Sequence, residues 1–245
     1  MSTSTDEQMR REFNQWAEAG RGEEMENHHI SITQQTLALM DLKPGQKVLD
    51  LGCGAGWASR LLAQAVGGGA QPGRVVGLDV SDEMVRRARA ASTQHDNLLF
   101  VVGSAEHIPW EENSFDKVLS VESFYYYGDQ DRALEELFRV LAPRGELYIL
   151  INLYKDNSYS LRWVEELKVP VQVRSEQEYV ELLKAHAYEE VRAVRIPDLT
   201  PTPEEYTGKW FKDAAELRDF KRIGALLLIA RKPDVASPPR GYEVY

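Results

Sequence analysis

From Lys47 onward, short apolar runs alternate with stretches whose apolar residues recur every three or four positions. That alternation is the pattern of a parallel sheet whose strands are joined by crossover helices. Strands are expected over residues 47–51, 74–80, 98–102, 116–121, 146–152, 188–195 and 224–231. Between them, Trp57, Leu61, Leu62, Ala65 and Val66 make one helical stripe, and Leu134, Leu137, Phe138 and Leu141 make another. The first stripe ends in Gly67-Gly68-Gly69, which stops a helix. Ser81-Asp82-Glu83 supplies a cap and early acids for a helix running to Ala91. Pro143-Arg144-Gly145 reads as a turn ahead of the fifth strand.

Two segments lie outside this alternation. In residues 1–44 a helix is expected over 30–40, closed by Lys43-Pro44-Gly45. After the fifth strand, 158–167 and 175–184 read as helical. Residues 196–222, with Pro197, Pro201 and Pro203, read as irregular. The expected division is an N-terminal helical lid (1–44), a ligand-binding core (45–152), a substrate-cover segment with the final strands (153–232) and a loose tail (233–245). Phe13, Trp16, Tyr159, Trp163, Tyr206, Trp210 and Phe211 lie in the two outer segments, more apolar surface than a solvated linker carries. Both are therefore expected to pack over the C-terminal edge of the sheet, where open α/β folds bind ligands.

Composition narrows the setting. The chain has 245 residues, enough for one α/β domain with additions. Its net charge of −10 disfavours general nucleic-acid binding, which needs clustered Lys and Arg. No apolar run reaches the roughly 20 residues of a membrane span, and the polar N-terminus has no signal-peptide core, so a cytoplasmic protein is expected. The single cysteine, Cys53, excludes an internal disulfide, and no Cys or His cluster suggests a metal.

The chemistry concentrates at Val48-Leu49-Asp50-Leu51-Gly52-Cys53-Gly54-Ala55-Gly56-Trp57, a strand entering a glycine turn and then a helix. Glycine permits a tight turn and close approach of backbone to ligand. The spacing is G-x-G-x-G, with Trp57 where a dinucleotide fingerprint would place its third glycine. Asp50 also argues against a diphosphate, which prefers positive partial charge. A ligand carrying an ammonium and a sulfonium would be attracted instead, the charge pattern of S-adenosylmethionine.

Asp50-Leu51-Gly52-Cys53-Gly54-Ala55-Gly56 resembles the first motif of the class I S-adenosylmethionine-dependent methyltransferases. More specifically, it is similar to the small-molecule branch that includes the ubiquinone and menaquinone biosynthesis enzymes. The resemblance implies a doubly wound, Rossmann-like sheet of seven strands, mostly parallel, with the last strand antiparallel. It also implies S-adenosylmethionine as cofactor and a small-molecule acceptor. Asp79, at the end of the second strand, is placed to accept hydrogen bonds from both ribose hydroxyls. Gly103-Ser104-Ala105-Glu106 resembles the stretch that flanks adenine, with Ser104 where an Asp is common. The implied cofactor set is Asp50, Gly52, Gly54, Gly56, Asp79, Met84, Ser104, Ala105, Glu106 and Val121.

The strand-four sequence Val121-Glu122-Ser123-Phe124 lacks the Asn-Pro-Pro-Tyr pattern of enzymes that methylate adenine or glutamine nitrogen. Catalytic residues are not fixed by the sequence. His28, beside His29 ahead of the N-terminal helix, and Tyr125 and Tyr126 after strand four are the candidates. Two alternatives stay open: a non-catalytic protein that keeps the cofactor site, and an NAD-dependent oxidoreductase.

Overall fold

The computed structural model describes residues 5–234, apart from the side chain of Glu23. Seven strands form one sheet: β1 (Lys47–Leu51), β2 (Arg74–Asp79), β3 (Leu98–Val102), β4 (Phe115–Val121), β5 (Leu141–Ile151), β6 (Glu189–Ile196) and β7 (Ala225–Arg231). The helices are α1 (Thr5–Glu18), α2 (Arg21–Leu39), α3 (Trp57–Val66), α4 (Asp82–Ala90), α5 (Gln130–Val140), α6 (Ser158–Leu161), α7 (Glu176–Ala185) and α8 (Ala214–Ile223). The strand order is β3-β2-β1-β4-β5-β7-β6. The pairs β1–β2, β1–β4, β2–β3 and β4–β5 are parallel, whereas β7 runs antiparallel to β5 and β6.

Side chains alternate across the sheet with period two, and both faces are covered. Leu147, Ile149 and Ile151 of β5 and Leu226 and Leu228 of β7 pack in one cluster with α5 residues Leu134 and Leu137 and α7 residues Tyr179 and Leu183. Tyr148, Leu150, Leu227 and Ile229 pack on the other side with Ile32 of α2 and Leu62 and Val66 of α3. Neither face of the central strands touches water, so their sequences are continuous apolar runs. A polar residue there, such as Asp50 in register with Gly77 and Leu119, therefore stands out.

Most expected elements form, with departures that have identifiable causes. The helix expected from residue 30 starts at Arg21, after Gly20 in a left-handed conformation (φ 75°). α1 was not expected because its sequence is largely polar; its apolar residues Met9, Phe13, Trp16 and Ala17 share one narrow stripe. α8 lies inside the stretch read as irregular. Asp213 caps it by accepting from the backbone N–H groups of Ala215 and Glu216 at 2.9 Å, and Gly224 (φ 80°) ends it, so Gly224 belongs to that turn and not to β7. β5 begins at Leu141, five residues before the expected start; Pro143-Arg144-Gly145 is a kink within it, with Arg144 left-handed (φ 64°). The tail expected over 233–245 lies outside the described residues from 235 onward.

Of the loop glycines, Gly56 has a packing role. Its φ is 78°, and a Cβ there would sit 2.5 Å from Phe100 Cζ; a Cβ at Gly77 would meet the same ring at 2.5 Å. Phe100 thus fills a notch that two glycines leave open, locking the glycine turn onto β3. Gly56→Ala adds left-handed strain to overpacking and is expected to lower unfolding stability by about 2–4 kcal/mol in chemical denaturation. An unchanged midpoint would show that the notch yields freely.

Candidate active site

The C-terminal ends of β1, β2 and β4 open into one cleft, whose empty space including the mouth is about 1040 Å³. Its floor is the glycine turn. Gly52 N–H and Cys53 N–H donate to the Leu78 carbonyl at 2.8 and 3.1 Å, tying the turn to β2. Gly52 (φ 73°) has no room for a Cβ, which would meet Ser123 at 2.4 Å, whereas Gly54 (φ 51°) faces open space and lines the cleft. Gly56 does not line it. Of the expected cofactor set, Asp50, Gly52, Gly54, Asp79, Met84, Ser104, Ala105, Glu106 and Val121 all do.

Two carboxylates dominate the electrostatics of the floor. Asp50 is only 1% exposed and accepts the Ser59 hydroxyl at 2.5 Å. Withdrawal from water pushes its carboxyl up to about 7, partly opposed by the Ser59 bond. Asp79 is also raised by burial, against hydrogen bonds from Ser81 N–H and Gly54 N–H, both 2.8 Å. Each Asp79 oxygen takes one backbone donor and keeps acceptor capacity for a ligand. The helix cap is Ser81, whose hydroxyl accepts from Met84 N–H at 3.0 Å, so Asp79 is not needed for capping. Asp6, Glu106 and Glu122 add three more acids to the lining, and no lining residue is Lys or Arg. Glu106 accepts from Asp129 N–H at 2.8 Å, and Ser104 Oγ accepts from Glu106 N–H at 3.1 Å, which fixes this loop at the cleft's side.

The roof is built by α1 and α2. Asp6, Met9, Phe13 and Trp16 of α1 line the cleft at spacings of three, four and three, one helical face. Asn14 docks that helix on the start of α4: its Oδ1 accepts the Ser81 hydroxyl at 2.6 Å and its amide donates to Asp82 at 3.0 Å. Phe13 stacks edge-on to Tyr126 and Trp16, with ring centroids 5.0 and 5.2 Å away. No residue of 153–222 lines the cleft. The aromatics of that segment pack together instead, Trp163 against Trp210 and Phe220, and Phe211 against Phe220 and Tyr206.

The expected catalytic candidates are sorted by their surroundings. His28 is exposed and outside the lining, while its neighbour His29 is buried and within it. Tyr126 lines the cleft; Tyr125 is buried behind it, its hydroxyl donating to Glu122 at 3.0 Å. Glu122, cited in the sequence only for the motif it does not form, occupies the cleft end of β4. One sign was present in the sequence: an acid directly after an apolar parallel strand has to be buried or functional. Among the described residues no His, Cys, Asp or Glu group could hold a metal ion, and no helix is long and apolar enough to cross a membrane.

The strand order with its antiparallel β7, and a glycine-floored cleft lined by acids and free of cations, define a Rossmann-like methyltransferase fold. Residues 49–149 match the family described as Methyltransferase domain. A methyltransferase solved in complex with the Trm112 methyltransferase activator from Haloferax volcanii superposes with a TM-score of 0.83. It is 33% identical, over 91% of this chain and 98% of that one. Methyltransferase GfsG of Streptomyces halstedii is 34% identical over 48% of this chain and 42% of its own length. Demethylmenaquinone methyltransferase of Bacillus cereus is 35% identical over 50% of this chain and 51% of its own. The chain spans about half the length of these latter relatives. It belongs to the class I S-adenosylmethionine-dependent methyltransferases.

Asp79 ties the glycine turn to the start of α4 and lines the cleft. Asp79→Ala leaves the Gly54 and Ser81 N–H groups without their acceptor, at roughly 1–3 kcal/mol each, so the melting temperature of the free protein should drop. S-adenosylhomocysteine affinity, read by calorimetry, should fall at least tenfold. Unchanged affinity would show the acid to be structural only.

Proposed function

We propose that the protein transfers a methyl group from S-adenosylmethionine to a small-molecule acceptor. The observation that carries this reading is the cleft's charge: five carboxylates and no cation around a glycine turn whose Gly54 faces open space. The diphosphate of NAD would meet repulsion there, whereas a sulfonium and an ammonium meet attraction. The name of the demethylmenaquinone methyltransferase relative agrees with a small acceptor. So does a roof of Met9, Phe13, Trp16 and Tyr126, which offers apolar surface to a small body.

The residues would divide the work as follows. Asp79 holds the ribose hydroxyls, and the turn at Gly52 and Gly54 passes beneath the amino-acid end. Asp50 stabilises positive charge from below, and Ala105 with Ser104 flanks the adenine. Met84 and Val121 pack beside the ligand. When bound, S-adenosylmethionine supplies a methyl carbon already activated toward a nucleophile, so the protein contributes alignment and exclusion of water. Residues 1–44 serve as the lid. α1 is tied to α4 through Asn14 and joined to α2 at left-handed Gly20, a turn that suits glycine.

Calorimetry with S-adenosylhomocysteine and NAD in parallel tests the ligand, and hydrogen exchange tests the lid. Micromolar binding of the homocysteine compound, none of NAD, and slowed exchange over residues 6–29 on binding are expected. Tight NAD binding alone would overturn the cofactor assignment, and unchanged exchange over 6–29 would remove the lid.

A further inference from the structure

In the cleft wall after β4, Glu122 is held by groups from three other parts of the chain. Its backbone is left-handed (φ 53°), a conformation costly for a side chain with a Cβ and concentrated at functional sites. Its Oε1 accepts two bonds from Asn152, from the backbone N–H at 2.6 Å and the side-chain amide at 3.0 Å. Its Oε2 accepts the Tyr125 hydroxyl and lies 4.0 Å from His29 Nε2. His29 Nδ1 is 2.9 Å from the Met25 carbonyl, which can only accept, so Nδ1 carries the hydrogen and Nε2 presents a lone pair. Two proton acceptors, from β4 and from α2, thus converge in the cleft wall. They are too far apart to hydrogen-bond each other and close enough for one polar atom to reach both.

Building on the methyl-transfer reading above, we propose that Glu122 is the general base that takes the acceptor's proton, with the His29 Nε2 lone pair positioning an amine acceptor through its second N–H; a hydroxyl acceptor gives its one hydrogen to Glu122. The acceptor is accordingly a hydroxyl or amine, an X–H nucleophile, carried on an apolar body against Met9, Phe13, Trp16 and Tyr126. A carboxylate acceptor would be repelled by the five acids of the lining. An acceptor with no proton to lose, such as a thioether, would have no use for Glu122. The heteroatom's electron pair forms the bond to carbon, the carbon–sulfur bond breaks with its pair kept on sulfur, and the heteroatom's proton passes to Glu122 Oε2. The carboxyl then loses that proton to solvent when the cleft opens.

The environment suits a base working near neutrality. Burial pushes the Glu122 carboxyl up to about 7 against the bonds from Tyr125 and Asn152, and burial holds His29 down to about 4, hence neutral. The groups facing this pair are Tyr125 and Tyr126 from the turn after β4, Asn152 after β5, Met25 of α2 and, acting on His29, its neighbour His28 with ring centroids 6.4 Å apart and Asp198 beyond β6. Asp50 and Asp79 stand across the floor. The base must be ionised to act, so turnover should rise with pH through about 7.

The full chain is tested with S-adenosylmethionine and a panel of phenols, alcohols and primary amines, reading S-adenosylhomocysteine release from pH 5 to 9. With an accepted substrate, Glu122→Gln should lower kcat roughly 100-fold or more, leave KM within about threefold and abolish the acid limb. Glu122→Asp should recover part of the rate. His29→Gln, which offers an amide donor where a lone pair stood, should move the acid limb to lower pH. Independently of any acceptor, infrared titration of the S-adenosylhomocysteine complex should show protonated carboxyl absorption that disappears through neutral pH and is smaller by the Glu122 contribution in Glu122→Gln, the Asp50 contribution remaining. An unchanged kcat in Glu122→Gln, or a Glu122 already ionised at pH 5, would overturn the base. No turnover of any panel member by a chain that binds S-adenosylhomocysteine would overturn the acceptor class. Failure to bind S-adenosylhomocysteine at all would instead sink the methyl-transfer reading itself.

Discussion

A carboxylate withdrawn from water at the end of β1 is the constraint on which the site depends. Asp50 sits in the middle of a sheet buried on both faces, its oxygen held by Ser59 of α3. Burying such a group is unfavourable unless something compensates, and the lining residues of the cleft offer no Lys or Arg. The fold keeps the arrangement because the neighbouring structure cannot relax: Gly52 is clamped between Ser123 and the Leu78 carbonyl, and Gly56 is wedged by Phe100. The compensation is left for a ligand. A cationic one neutralises the floor, which makes the free protein's unfavourable electrostatics a source of selectivity.

The second acid, Glu122, extends the same logic to the other wall. Its strained backbone and its three side-chain neighbours, Tyr125, Asn152 and His29, come from four separate parts of the chain. β4 brings the acid, β5 the asparagine, the short turn after β4 the tyrosine and α2 the histidine. The N-terminal layer completes that set, since His29 belongs to α2.

The sheet was legible in the sequence because its strands are buried on both sides and read as apolar runs between glycine and capping signals. β1 and β3 have the expected ends. The glycine turn and Asp79 were equally legible, since a short local segment fixes them. What was not legible depends on distant contacts. α1 is too polar to announce itself, and its stripe has meaning only once it meets Tyr126 and α4. His28 and His29 are neighbours, and only the phase of α2 decides which faces the cleft. The aromatics of 153–222 looked like a cover, yet aromatic residues bury one another as readily as they bury a ligand. Gly56 belonged to the motif but is used to admit Phe100.

The most direct measurement is the affinity of S-adenosylmethionine relative to S-adenosylhomocysteine from pH 6 to 8, by calorimetry on the wild type and on Asp50→Asn. The two ligands differ by the sulfonium charge and one methyl group. Asp50 ionises in this range, its carboxyl standing at about 7 in the free protein. The preference for the cationic ligand should therefore grow with pH in the wild type and grow less in Asp50→Asn, where Glu122, also standing at about 7, is left to titrate in the cleft. A preference independent of pH in both proteins would contradict an acid floor that selects the cofactor by charge.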